Sequence, residues 1–407
     1  MNDNIHAYTS ITTNYLPKAR VLARSLKKHN PDVLFHLLIS DDLPASFKLN
    51  DEPFDSVIYA DELDIPDPDK FFFTHTVVEL CTAVKGLALE YIFKTYNADT
   101  VFYFDPDMAV FSSIQSLLDE LDNNSILLTP HQTEPEKTST AIIDNEMCSL
   151  RYGVFNLGFV GVKNDSEGRR FSQWWCDRLV DFCFDDVQRG LFTDQKWVNL
   201  APCFFSELKI LRDPIYNVAT WNLTSRKVTG TLENGIFINE EPLCFYHFSG
   251  FDSGAQEYML KKYGAENPAL YELRNWYIDQ CQQQGQDQIG DAVYKYGCYS
   301  DGTLIKSNER IEYRTRADLQ ERFEKPFEAV PGKPCYRSWY IDNQSEVGYT
   351  SPTISISSLA GFKDVFFEVA NYFYSTSYSE RVNSSLKRFL LRNFARFMFY
   401  TGKILLK

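Results

Sequence analysis

Up to residue 130 the chain alternates short runs of β-branched and aromatic residues with stretches of helical periodicity, and this alternation restricts the available architectures. Ile5 to Ser10 reads as a strand. Pro17 opens a helix, since its fixed φ suits a first turn, and Ala19, Leu22, Ala23 and Leu26 recur on one face. Val33 to Ile39 and Ser56 to Tyr59 read as further strands, and Thr76 to Lys94 as one long helix. Thr100 to Phe104 is a fourth strand that stops abruptly at Asp105-Pro106-Asp107. Strands separated by helices form a mainly parallel α/β sheet with helices on its faces. In such sheets ligands bind beyond the carboxyl ends of the strands. Thr12, Thr13 and Asn14, after the first strand, are then expected on one rim with Asp105 and Asp107.

The α/β pattern continues to residue 255. Val154 to Val162 is strand-like, and Glu167 to Cys183 reads as a helix with Phe171, Trp174, Trp175, Leu179 and Phe182 on one side. From residue 256 the texture changes to Gln, Tyr, Glu and Arg without βα alternation, which suggests a helical or irregular appendage. Ser351 to Ser358 is Ser/Thr-rich and reads as a linker. Residues 384–407 carry six basic residues and no acid, with Leu386, Phe389, Leu390, Phe394, Phe397 and Met398 at helical spacing. A basic amphipathic helix of this kind suits an anionic membrane surface, although a terminal helix packed on its own domain has the same pattern. The expected division is a catalytic domain over 1–255, an appendage over 256–383 and the basic helix over 384–407.

Charge narrows the partners. The 407 residues hold 41 Lys plus Arg against 55 Asp plus Glu, a net −14, and an acidic surface repels phosphate backbones, so general nucleic-acid binding is not expected. A hydrophobic content of 44% supports a substantial core. The N-terminus lacks a basic segment followed by an apolar one, and the nine cysteines contain no CxxC pair. These features read as a cytoplasmic chain with reduced thiols, attached peripherally to the inner face of the membrane if the basic helix binds there.

The chemistry-bearing residues cluster in a few segments. Asp105 and Asp107, two apart at a strand end, can reach one hard divalent cation whose shell substrate phosphates complete, or they simply end the strand in a turn. His247, in the aromatic run Phe245-Tyr246-His247-Phe248-Ser249-Gly250, either adds a nitrogen ligand to that cation or is a hydrogen-bonded core histidine. Asn156, in the glycine-punctuated segment Gly153 to Gly161, is placed for a sugar hydroxyl or marks a bulge in a buried strand. Asp194, before Gln195, is either a helix cap or a buried carboxylate facing substrate. Lys85, in an otherwise apolar helix, reaches a phosphate or snorkels to solvent.

In this order the segments resemble a nucleotide-sugar glycosyltransferase of the GT-A fold, similar to glycosyltransferase family 8, over roughly residues 4 to 252. The matching stretches are YTSITTNYLPKARVLARSL, AVKGLAL, FYFDPDMAVF, FNLGFVGV, TDQKWVNL and YHFSG. The resemblance implies that Asp105, Asp107 and His247 hold Mn²⁺ or Mg²⁺ on the donor diphosphate. It further implies that Thr12, Thr13 and Asn14 contact the nucleotide, and that Lys85, Gly158 and Gly250 line the donor site. Asn156, Asp194 and Gln195 would contact the donor sugar or flank the reacting carbon. The implied donor is a UDP-hexose, the acceptor a glycan or lipid-linked glycan of a bacterial surface polysaccharide, and the outcome retention of configuration. One departure stands out: where the family continues with Lys-Pro-Trp, this chain has Phe251-Asp252-Ser253-Gly254, with Lys261, Lys262 or a residue of the appendage as substitutes for the phosphate-clamping lysine.

Two other readings use the same residues. A phosphatase of the haloacid dehalogenase type would take Asp105 as nucleophile and Asp107 as acid/base, but that class carries its motif in the first strand, and Gly290-Asp291 lies in the polar appendage without the further acids such an enzyme uses. A non-catalytic sugar-binding protein would keep the fold without the reaction.

Overall fold

Every residue of Thr100–Phe104 (β4) is buried, which a strand achieves when both faces of its sheet are covered. In this computed structural model, which describes residues 4–330 and 332–343, β4 sits at the centre of a seven-stranded sheet. Ile5–Ile11 (β1), Leu34–Ile39 (β2) and Ser56–Tyr59 (β3) run parallel to one another on one side, and β1 pairs in parallel with β4. On the other side lie Phe155–Lys163 (β7), Ile126–Pro130 (β6) and the strand Leu208–Ile210. β7 is antiparallel to both β4 and β6, with Phe104 opposite Phe159, whereas the other six strands share one direction. The expected mainly parallel α/β sheet is therefore present. Because β7 is reversed, its first residues meet the carboxyl ends of β1 and β4, which brings Asn156 to the rim of Asp105.

Alternation along each strand sends neighbours to opposite faces. Ala7, Phe102 and Phe104 pack with Leu16–His29 (α1) on one face, and Tyr8, Tyr103 and Val160 pack with the helices of the other. α1 starts one residue before Pro17 and ends in Lys27, Lys28 and His29, whose charge suits a helix C-terminus.

The span read as one helix from Thr76 is two. Val77–Ala83 (α3) is opened by a capping box of Thr76 and Glu79, and Lys85–Tyr96 (α4) follows after Val84, whose ψ of −7° breaks the regular ladder. Tertiary contacts set the break. A Cβ on Gly86 would lie 2.6 Å from Cys176 Cα, so glycine there lets α4 press against the helix Ser166–Phe182, while Lys85 is tied into the site described below. In Ser166–Phe182, Phe171, Trp175 and Leu179 are buried as expected, but Phe182 is 46% exposed and turns toward Trp197.

Beyond residue 254 the described chain is mostly helical, and its contacts run on to Tyr340 without a break between units. Tyr277, from the helix Pro268–Gln283, stacks on Phe248 at 3.9 Å between ring centroids. Arg310 donates to the carbonyls of Phe73 and His75 at 2.7 and 2.9 Å, and Arg314 pairs with the buried Glu79. No helix among the described residues is long and apolar enough to cross a membrane. The linker reading of 351–358 and the basic helix of 384–407 fall outside the described residues.

Candidate active site

Leaving β4, the chain turns through Asp105-Pro106-Asp107 into the short strand Met108–Val110 (β5), which pairs antiparallel with the strand Phe245–His247. His247 lies opposite Met108 in that register, one residue from Asp107, and the Phe248 amide donates to the Asp107 carbonyl at 2.8 Å. Backbone pairing thus brings together residues 140 positions apart. The ligand atoms of Asp105, Asp107 and His247 all lie within 4.8 Å of one another. His247 Nε2 is 3.0 Å from Asp107 Oδ1 and 3.8 Å from Asp105 Oδ2. His247 is buried, while the Asp105 and Asp107 side chains keep 27% and 19% of their surface, so the carboxylates face an approachable side.

Two carboxylates and one imidazole suit a divalent cation, whose remaining coordination positions suit the oxygens of a substrate. The surroundings support that use. Asn217 Oδ1 sits 3.2 Å from His247 Nδ1, where it accepts the ring N–H and leaves Nε2 directed at the aspartates. Burial pushes the His247 pKa down, but Asp107 and Asp105 outweigh it and hold the imidazole above its usual range. Burial pushes Asp107 up, and the charges of His247 and Lys18 outweigh that to hold its carboxyl below the usual range. Each group of the pair thus favours the charged form of the other.

A second set of contacts backs the first. Asp105 Oδ1 accepts from the Tyr103 hydroxyl at 2.6 Å and from Lys85 Nζ at 3.3 Å, which leaves Oδ2 toward His247. Lys85 is buried and does not snorkel; its ammonium bridges Asp105, Asp194 Oδ2 at 2.9 Å and the Leu157 carbonyl at 3.3 Å. Burial opposes its charge, but Asp105 and Asp194 prevail and raise its pKa. Asp194 occupies the N-cap position of the helix Gln195–Val198 without capping it. Its side chain goes to Lys85 instead, and burial raises its pKa against the opposing pull of that ammonium. Thr193 before it has φ 44°, a left-handed conformation that costs a non-glycine residue energy and that the surroundings must hold in place.

Asn156 and Gln195 belong to the same network. Asn156 Oδ1 accepts from Asn217 Nδ2 at 3.0 Å and from the Gly158 amide at 3.2 Å, and Gln195 Nε2 donates to the Tyr152 carbonyl at 3.1 Å. Gly158 makes room: a Cβ there would lie 2.6 Å from both His247 Cε1 and Met108 Cε and 2.8 Å from Asn156 Oδ1. Gly158→Ala should therefore displace the imidazole. The expected loss is about 1–3 kcal/mol of stability from overpacking and about 10- to 100-fold in Mn²⁺ affinity, read by thermal melting and by electron paramagnetic resonance of free Mn²⁺.

Thr12 and Thr13 are buried at the end of β1, where Thr12 donates to Asn14 at 2.6 Å and the Thr13 amide donates to Asp41 at 3.2 Å. Gly250 has φ 75° in the turn after His247. Lys261 and Lys262 are engaged elsewhere, with Glu257 and Asp144 respectively. Asp291 is exposed just past the short helix Gln286–Ile289. The sequence reading missed Asn217 and Tyr103. The trace Asn217 leaves is an asparagine interrupting the apolar run Ile215 to Ala219, where its φ of 50° turns the side chain back toward His247.

The fold and site define an α/β protein with a carboxylate–imidazole cluster at the carboxyl rim of its sheet. No family model matches the chain. It is 29% identical over 252 residues to the uncharacterized protein YfnD of Bacillus subtilis (strain 168), covering 60% of this chain and 78% of that one. It is 26% identical over 176 residues to YfnF of the same organism, covering 42% of this chain and 57% of that one. Among solved structures it is similar to the galactosyltransferase LgtC, crystallised with donor and acceptor sugar analogues, with a TM-score of 0.40 and 15% identity over 69% of this chain and 96% of that one.

Proposed function

We propose that the chain is a metal-dependent glycosyltransferase that moves a hexose from a nucleoside-diphosphate donor, a UDP-hexose first among them, to a glycan or glycolipid acceptor in bacterial surface polysaccharide synthesis. The observation that carries this reading is the cluster of Asp105, Asp107 and His247 within 4.8 Å on the same rim as Thr12 to Asn14 and Asn156. A bound Mn²⁺ or Mg²⁺ supplies charge neutralisation for the departing nucleoside diphosphate. The protein's own residues do the rest. Asn217 fixes the His247 ring, Lys85 holds the Asp105 and Asp194 carboxylates in one geometry, and Asn156 and Gln195 stiffen the strand end facing the sugar. Such fixed dipoles stabilise developing charge without reorganising.

Asp194 is engaged by Lys85 at 2.9 Å, which supports a part in stabilising positive charge at the reacting carbon and not one in taking the acceptor's proton. That favours retention, since inversion calls for an unengaged carboxylate base at the acceptor. In this reading residues 1–255 are the catalytic domain, 256–383 an appendage, and 384–407 a membrane-attachment helix on the cytoplasmic face. Calorimetric titration of UDP-, GDP- and dTDP-hexoses with and without Mn²⁺, paired with assay of nucleoside diphosphate release, tests the activity. At least one donor should bind in a metal-dependent way, and binding of none would overturn the proposal. Deleting residues 384–407 should abolish flotation with anionic liposomes; unchanged partitioning would refute the membrane role.

A further inference from the structure

Lys18, in the first turn of α1, is a buried lysine that the site described so far does not use. Its side chain is 3% exposed, and its ammonium pairs with Asp252, whose side chain is 50% exposed. An ammonium taken out of water is costly unless paired, and here the carboxylate that pairs it is itself half-exposed, so water and solutes reach the pair from the Asp252 side. The Tyr15 hydroxyl donates to the same Asp252 oxygen at 2.7 Å.

Three observations connect this pair to the metal cluster. Asp252 lies five residues after His247, in a turn whose Gly250 and Gly254 both have φ 75° and which belongs to no strand or helix. Phe248, whose amide donates to the Asp107 carbonyl at 2.8 Å, stacks on Tyr277, and Phe251, the neighbour of Asp252, packs edge-on against the same Tyr277 ring at 5.5 Å between centroids. The pair also sits at the N-terminus of the fourteen-residue α1, where the helix dipole favours an anion. A buried cation and a helix N-terminus meet at the turn that follows His247, and the Asp252 carboxylate occupies the spot.

We propose that Lys18 binds a phosphate of the donor diphosphate and that Asp252 is its internal stand-in, displaced when the diphosphate arrives. A diphosphate fits better than a carboxylate because its oxygens can meet Lys18 and complete the shell of a hard cation on Asp107 at once. Asp252 then competes with the ligand, lowering apparent affinity while keeping the buried ammonium paired in the empty protein. The inference rests on the transferase reading for the identity of the diphosphate.

The test uses Mn²⁺ with inorganic pyrophosphate, and in parallel Mn²⁺ with UDP, titrated into the full chain. Lys18→Met should bind Mn²⁺–pyrophosphate about ten- to a hundred-fold more weakly, the size expected for one lost charge-assisted contact, while its affinity for Mn²⁺ alone stays within about threefold. Asp252→Asn should bind it several-fold more tightly, and in the Lys18→Met background that gain should vanish, as coupling between the two residues requires. Should Lys18→Met fail to fold, the sign of the Asp252→Asn effect decides. Wild-type-like binding by Lys18→Met, or weaker binding by Asp252→Asn, overturns this inference alone. Pyrophosphate binding that depends on Lys18, in a protein that binds no nucleotide sugar, sinks the transferase reading and leaves the anion site standing. A wild type that binds no Mn²⁺–pyrophosphate overturns both.

Discussion

Asp107→Ala is expected to abolish metal-dependent donor binding and to lower kcat/KM by at least about a thousandfold, ~4 kcal/mol of transition-state stabilisation. The size follows from what Asp107 does in the cluster. Its Oδ1 is 3.0 Å from His247 Nε2 and its backbone carbonyl is fixed by the Phe248 amide, so the carboxylate is held in place for the proposed ligand role and is not a mobile surface acid. Removing it leaves two ligands, and it also leaves a buried imidazole without the partner that holds its pKa up. Burial then favours neutral His247, so the variant should fold while losing the metal. The measurement is Mn²⁺ titration followed by electron paramagnetic resonance, with donor binding by calorimetry. A variant that keeps wild-type Mn²⁺ and donor affinity would show that the cluster is an internal ion pair and nothing more.

Asp194→Asn makes the instructive contrast, because it removes a charge from Lys85 and not a ligand from the metal. Lys85 then retains Asp105 at 3.3 Å as its anion. Mn²⁺ affinity should hold while kcat falls, the signature of an interaction that matters in the transition state. The acidic balance of the chain, −14 overall, gives both results a common basis: anionic ligands must be drawn in by a few placed cations against an unfavourable field.

How much of this was legible in the sequence depends on the range of the forces involved. β1 to β4 and α1 are each set by local pattern, and their reading agrees with the structure to within a residue or two, whereas the aromatic run to Gly250 is a strand only over Phe245–His247. β6 and Leu208–Ile210 were not read, since three to five apolar residues carry too little period to separate strand from buried loop. The break at Val84 was also hidden, because the contact of Gly86 with Cys176 spans ninety residues. At the site the sequence left Asp105 and Asp107 as ligands or a strand-ending turn and His247 as a ligand or a core histidine, and the fold brings the three within 4.8 Å. For Lys85 and Asp194 the sequence left two uses open, and only packing shows that each is the other's partner. Asn217 and the Lys18–Asp252 pair depend on a left-handed backbone angle and on a contact across 234 residues, neither of which leaves a local pattern.

The buried histidines make acid the condition that should unfold this protein. Burial pushes His36 down to about 3, with the neighbouring His6 adding to the effect, and it pushes His75 and His131 each down to about 4. His36 is wedged between His6 at 2.7 Å and Ser56 at 2.6 Å, and His75 Nδ1 faces the Phe71 carbonyl at 2.7 Å, with Arg310 and Arg314 close enough to disfavour a further positive charge. Between those values and the usual 6.5, the unfolded chain binds a proton at each site that the folded chain does not. Stability is therefore fully present above about pH 6.5 and is lost as pH falls toward 4, at about 1.4 kcal/mol per pH unit per histidine. At pH 5 the three together remove roughly 6 kcal/mol, comparable with the whole stability of many domains. His247 does not compensate: its folded pKa is raised, so its contribution is complete below 6.5 and changes only at higher pH. Urea midpoints at constant ionic strength should fall steeply between pH 7 and pH 5, and His131→Gln should flatten that slope. A midpoint independent of pH over that interval would mean that these histidines are protonated in the folded state.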